Sequence, residues 1–210
     1  MLPRDFYTRP ALRLAPELLG KLLVHETDQG LTAGMITEVE AYAGPEDDAA
    51  HSFKARRTER TAVQYRDGGY AYVFGIYGMH WCFNAVCGGE GKPEVVLVRA
   101  LEPVRGIGLM RQRRGKDERE LLCSGPGRLC QAMGITKAQY GMDLCGGTLY
   151  IRDYRDISPE QIALSPRVNI DYAQEYRDRL WRFYIRDSRY VSRVPGRYAA
   201  AAVLADRPEL

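Results

Sequence analysis

Gly69-Tyr70-Ala71-Tyr72-Val73-Phe74-Gly75-Ile76-Tyr77-Gly78-Met79-His80-Trp81-Cys82-Phe83-Asn84-Ala85-Val86 is the stretch whose reading decides the fold. Aromatic and β-branched residues crowd both flanks, and Tyr77-Gly78 interrupts them near the middle. Glycine takes positive φ without steric cost, so the pattern predicts a β-hairpin turning around Tyr77-Gly78. Side chains alternate across a strand. Tyr70, Tyr72 and Phe74 therefore share one face of the outgoing arm, and His80, Cys82 and Asn84 share a face of the return arm. A tyrosine at the tip has two readings: a ring folded back on its own sheet, or a wedge of the kind that parts base steps when a nucleotide is expelled.

Outward from the hairpin, the chain reads as further strands with a few short helices. Lys21 to Glu26 and Thr32 to Tyr42 read as strands joined through the turn Asp28-Gln29-Gly30. Glu94 to Leu101 is a β-branched run of a buried strand, and Thr148 to Arg152 and Arg182 to Arg186 are further candidates. A helix is predicted from Thr8, as cap, to Leu19, stopped by Gly20 and kinked or restarted at Pro16, whose ring nitrogen has no proton to donate. A second is predicted from Pro103 to Arg114, with Arg105, Arg111, Arg113 and Arg114 on its solvated side and a loop from Arg114 to Arg119. A third starts at Ser124-Gly125-Pro126 and ends at Gly134. Ala199 to Leu204 reads as an apolar packed tail. No repeat, linker or composition break divides the 210 residues, so residues 1–210 are expected to form one compact α+β domain.

Composition narrows the class. A hydrophobic fraction of 45% supplies an ordinary globular core. No apolar run approaches the ~20 residues of a membrane helix, and the start at Met1-Leu2-Pro3-Arg4 lacks a signal-peptide layout. The net charge of +3 is a mild basic bias that permits a nucleic-acid partner without requiring one. Cys82, Cys87, Cys123, Cys130 and Cys145 form no Cys-x-x-Cys pair and leave an odd count, which speaks against a disulfide framework or zinc site and for a reduced, cytosolic chain.

Candidate chemistry concentrates in Glu38-Val39-Glu40, two carboxylates on one strand face that Tyr42 continues. Glu38 reads equally well as part of a solvated outer face; Glu40, beside Tyr42, is the better candidate for a general base. Arg99 lies in an apolar strand, where an unpaired guanidinium is costly, and so requires a carboxylate such as Glu40. Glu38, Glu40, Glu46, Asp47, Asp48 and His51 form at most a weak metal cluster, because no second histidine is near. Arg111, Arg113, Arg114 and Lys116 read as a solvated face, with phosphate contact the lesser alternative.

The segments Ile36 to Ser52, Tyr72 to Asn84, Val96 to Pro103, Cys123 to Pro126, Pro166-Arg167-Val168 and Arg182 to Arg186 closely resemble, in order, the blocks of the alkyladenine (3-methyladenine, or methylpurine) DNA glycosylases. The resemblance implies a mostly antiparallel curved sheet with surrounding helices and a protruding hairpin that inserts into DNA. It implies a monofunctional enzyme, without cofactor, that acts as a monomer on double-stranded DNA. Such an enzyme flips out an alkylated or deaminated purine and hydrolyses its N-glycosidic bond. Residue by residue, Glu40 matches the base that activates water, and Arg99 and the carbonyl of Val168 match groups that hold that water. Tyr42 and His51 match residues flanking the flipped base, with Phe74 across from Tyr42 and Tyr72 supporting the histidine. Asn84 matches the amide that obstructs the amino group of guanine. Tyr77, with Met79 beside it, matches the residue that fills the vacated stack. Phe74 and His80 each stand where the mammalian members carry tyrosine; at Phe74 stacking is kept but a hydroxyl hydrogen bond is lost. Two other classes stay open: a metal-dependent nuclease using Glu38, Glu40 and Asp47, and a non-catalytic nucleic-acid-binding module.

Overall fold

The structure is a computed structural model and describes residues 1–193, 195, 196 and 200–207. The predicted hairpin forms from β3 (Ala71–Ile76) and β4 (His80–Cys87). Ile76 pairs with His80, so Tyr77, Gly78 and Met79 make the loop, with Tyr77 at φ 52° and Gly78 at φ 71°. Positive φ is unusual for a tyrosine; here the turn imposes it and leaves the ring 81% exposed. The ring is not folded back on its sheet.

Seven other strands complete one antiparallel sheet: β1 (Leu22–Thr27), β2 (Gly30–Tyr42), β5 (Glu94–Arg105), β6 (Leu149–Arg152), β7 (Ile162–Ser165), β8 (Arg182–Ile185) and β9 (Ala202–Val203). The order is β3-β4-β5-β2-β8-β7-β9, with β1 paired to β2 and to β6. Strand β2 is the axis of the sheet. One edge pairs with β5 along its length; the other pairs first with β1 and then, at Glu38 to Glu40, with β8. One face of β2, carrying Ile36, Val39 and Ala41, lies in the main core with Val96, Val98 and Phe83. Helix α2 (Ala11–Leu18) packs on β2 and β5, and α5 (Pro126–Met133) packs on β4 and β5. The fold is α+β, a large antiparallel sheet with few helices, as the sequence predicted.

Several boundaries differ. Thr8 follows a short helix α1 (Arg4–Tyr7) rather than capping α2. The first amide of α2, at Ala11, instead donates to a carboxylate oxygen of Glu94 at 2.6 Å. The cap comes from another element, beyond the reach of a local motif. Helix α2 runs through Pro16 and ends at Leu18 instead of restarting. Pro103 lies in β5, opposite Gly34, and α3 (Ile107–Arg114) begins after it. Strand β4 pairs with β5 only as far as Leu97. The edge beyond has no β4 partner, so a proline lacking N–H is tolerated. Gly106 (φ 69°) makes the strand-to-helix switch, and a Cβ there would sit 2.3 Å from the Leu31 carbonyl oxygen.

The expected loop after α3 runs to the start of a short helix, α4 (Arg119–Leu122). Arg113 donates to Gln29, Thr27 and the Ala132 carbonyl, and Arg114 donates to Leu122 and Gln131. These two arginines bind loops and helix ends rather than standing free on a solvated face. Residues 202–203 of the apolar tail pair with β7; Ala199 lies outside the described residues. The five cysteines are free, and among the described residues no helix is long and apolar enough to cross a membrane.

Candidate active site

The register between β2 and β5 builds the site. Pairing passes from Glu38 opposite Ala100 to Val39 opposite Val98, which leaves Arg99 unmatched at a bulge. Bulges re-aim a side chain where a ladder cannot. The Arg99 guanidinium, 7% exposed as a residue, lies over both carboxylates. Its Nε donates to Glu38 Oε1 at 2.9 Å, and its Nη1 is 3.3 Å from Glu40 Oε1.

The two carboxylates then divide. Glu38 is fully buried and saturated: Arg182 Nε donates to Oε1 at 2.7 Å, Ser192 Oγ to Oε1 at 2.7 Å and Ser192 N to Oε2 at 2.6 Å. Burial alone would raise its pKa, but Arg99, Arg182 and Ser192 outweigh burial and hold it below the ordinary carboxylate value. The solvated-face alternative for Glu38 is thereby excluded. Burial works against the Arg99 charge, and Glu40 with Glu38 overcomes it to raise that pKa. Glu40 is equally buried but opens on a cavity. Its Oε1 accepts from the Val168 N–H at 2.7 Å, and its Oε2 accepts from the Tyr42 hydroxyl at 2.9 Å. Carboxylate oxygens carry about four acceptor positions in all, so capacity for a further donor remains. Val168 reaches Glu40 through its N–H; the carbonyl contact implied by the resemblance is a separate matter. Burial first, and then the Glu40 charge, push the Tyr42 phenol well above its usual pKa, so it stays a donor.

The cavity above Glu40 measures about 320 Å³, within the range of small-molecule sites. Tyr42, His51 and Val168 line one part; Tyr72, Phe74, Cys82 and Asn84 line another, because Tyr72 pairs with Asn84 and Phe74 with Cys82 on one face of the hairpin. Asn84 Nδ2 donates to the Tyr72 carbonyl at 3.0 Å, which fixes the amide. The Tyr72 hydroxyl is 2.8 Å from His51 Nδ1, and the His51 and Phe74 rings meet edge to face at 4.6 Å. Burial, then Arg60 and Arg56, lower the His51 pKa to about 4, so the imidazole is neutral at pH 7. Burial raises Tyr72 to about 12. Tyr77 reaches the cavity rim, while Met79 stands 75% exposed beside it. Every predicted catalytic and substrate-binding residue thus faces one space.

Other contributors escaped the sequence reading. Arg167 grips Asp47 through two bonds of 2.6 and 2.8 Å, both side chains fully buried, and Asp47 also accepts from the Ala43 and Ala49 amides. Asp48 accepts from the amides of Gln174 and Glu175. Together these pin the 44–52 loop, which carries His51, to the segment bearing Val168. Pro166-Arg167-Val168 stood out in the sequence, but nothing there linked Arg167 to Asp47. Arg60, Gln64 and Ser192 left no signal at all. Neither Asp47 nor Glu38 joins Glu40 in a shared cation site: each is held by arginine, and no group of three potential metal ligands occurs among the described residues.

Known proteins resemble this chain along most of its length. A family model described as methylpurine-DNA glycosylase (MPG) matches residues 5–189. A protein of Clostridium novyi is 49% identical over 200 residues, covering 91% of this chain and 98% of its own length. One from Desulfitobacterium hafniense is 48% identical and one from Bacillus licheniformis 47%, over 91% of this chain and 98% and 96% of theirs. Each is named "Putative 3-methyladenine DNA glycosylase". With a match running from the first helix past the last long strand, and relatives nearly half identical along their whole lengths, the chain belongs to the methylpurine-DNA glycosylase family.

Proposed function

We propose that this chain releases alkylated and deaminated purines, of the 3-methyladenine, 7-methylguanine and hypoxanthine class, from duplex DNA by hydrolysis, with Glu40 as the base that activates water. The observation that carries the reading is a buried carboxylate, held by Val168 N–H, Arg99 and Tyr42, at the wall of a cavity lined by aromatic rings. The water oxygen bonds to the sugar C1′ and its proton passes to Glu40. The glycosidic bond breaks, and its electron pair leaves with the purine. Arg99 and the Val168 carbonyl hold the water. Tyr42, His51 and Phe74 flank the purine, Tyr72 braces His51, and Asn84 crowds the position of the guanine amino group. Tyr77 and Met79, outermost on the hairpin, occupy the gap left in the duplex. Among the described lining residues there is no lysine, which favours water over an amine as nucleophile and a monofunctional reaction.

The test is a set of duplexes each carrying one lesion, assayed for free base with and without EDTA. The reading predicts free purine, strands intact until alkali cleaves the abasic site, and no effect of EDTA. Strand breaks as the first product, abolished by EDTA, would instead support a nuclease; tight binding with no base release would support a binding module.

A further inference from the structure

Both aromatic walls of the cavity already carry a cation. Arg167 lies 4.6 Å from the Tyr42 ring centroid, and Arg60 lies 4.9 Å from that of Phe74. Neither arginine lines the cavity itself; Arg60 lines the adjoining surface groove with Lys54, Arg56 and Asp48. Arg60 Nη2 also approaches His51 Nε2 at 3.3 Å. Since that nitrogen then accepts, Nδ1 carries the proton and donates to Tyr72.

The charges below and above the cavity differ. At the floor, Glu38 and Glu40 are matched by Arg99 and Arg182, and Asp47 is matched by Arg167. At the mouth, Lys54, Arg56 and Arg60 face the single carboxylate of Asp48. The effect already registers on the lining. Arg60 adds to burial in disfavouring a charged His51, and it favours the anionic forms of Tyr72 and Cys82 on the hairpin face. A positive charge placed among these three side chains meets the same field.

We propose that Arg60 is a specificity-determining residue that selects lesions by charge, disfavouring bases that are cationic in the nucleotide and thereby favouring neutral ones. The aromatic rings attract a cation through their quadrupoles. A guanidinium over the Phe74 ring opposes that attraction, because two like charges held near one ring repel. Purines methylated at N3 or N7 carry such a charge; hypoxanthine does not. This inference rests on the base-excision reading above and narrows its substrate class.

The test compares single-turnover release of 7-methylguanine and hypoxanthine from otherwise identical duplexes by wild type, Arg60→Gln and Arg60→Lys. Glutamine keeps a polar side chain without charge; lysine keeps the charge. Arg60 is exposed, so both variants should fold, which circular dichroism checks. The ratio of 7-methylguanine to hypoxanthine release should rise on the order of five- to tenfold in Arg60→Gln and stay near wild type in Arg60→Lys. An unchanged ratio, or equal loss on both substrates as for a simple phosphate contact, overturns the inference and leaves the excision activity standing. Release of neither base by wild type overturns the proposed activity and this inference with it.

Discussion

Glu38 and Glu40 stand two residues apart on one strand, share one arginine and are both fully buried, yet their environments assign them different work. Glu38 is enclosed by Arg99, Arg182 and Ser192, whereas Glu40 opens on the cavity. Glu38→Gln should therefore act on stability, leaving two guanidinium groups short of a counter-charge at a cost of about 3–5 kcal/mol. Denaturant unfolding measures it. Because the folded pKa of Glu38 is depressed, its contribution is complete above the ordinary carboxylate pKa and is lost as pH falls through the folded value. The variant should lack that portion of the acid sensitivity. An unchanged midpoint would mean the cluster is not a structural one. Asn84, fixed by its bond to the Tyr72 carbonyl, is the residue we propose for selectivity instead. Asn84→Ser should raise release of undamaged guanine relative to hypoxanthine, and an equal ratio of the two products would remove it from that role. Alternation made the shared face of Glu38, Glu40 and Tyr42 legible in the sequence. Their division of labour was not, because Ser192 and Arg182 reach Glu38 from strands and loops more than a hundred positions away.

Among the elements, the β3–β4 hairpin was the most legible, since both period-two alternation and its turn are local. Its rings and Asn84 fall on one face because opposite residues of an antiparallel pair point the same way. The misplaced ends of α2 and α3 share one cause: non-local partners, the Glu94 carboxylate for one and the β2 edge for the other, overrode local capping signals. At the hairpin tip the exposed Tyr77 ring contributes little to the core. Tyr77→Ala should leave the melting temperature nearly unchanged while the flipped state loses roughly 1–3 kcal/mol, the worth of one aromatic–base stack. Tyr77→Phe should lose little, since stacking uses the ring. 2-Aminopurine fluorescence beside a lesion reads the flipping equilibrium; a fall in melting temperature with unaltered flipping would contradict the wedge.

Over the whole molecule, the sheet gathers residues from β2, β3, β4 and β5 and from the 166–168 segment around one cavity, with a basic groove and an exposed hairpin tip beside it. The net charge of +3 and the three cations of that groove limit how many phosphates can be neutralised. The affinity for duplex DNA should fall with log salt at a slope of about −3 to −5, each phosphate contributing about −0.9. Titrations across salt concentrations, with and without magnesium, provide the check; a flat response would contradict a duplex partner. Composition conveyed the sign of this charge but not its place, because no local pattern ties Lys54, Arg56 and Arg60 to the hairpin face beside which they fold.

The central claim is that Glu40 is the base, and single-turnover excision by Glu40→Gln tests it most directly. The amide keeps the size of the side chain and part of its hydrogen bonding but cannot take a proton from water. With folding and lesion-duplex binding retained, release of every lesion should fall by at least about 10²-fold, the lower bound of a general base's contribution. Excision within a few-fold of wild type would contradict the account.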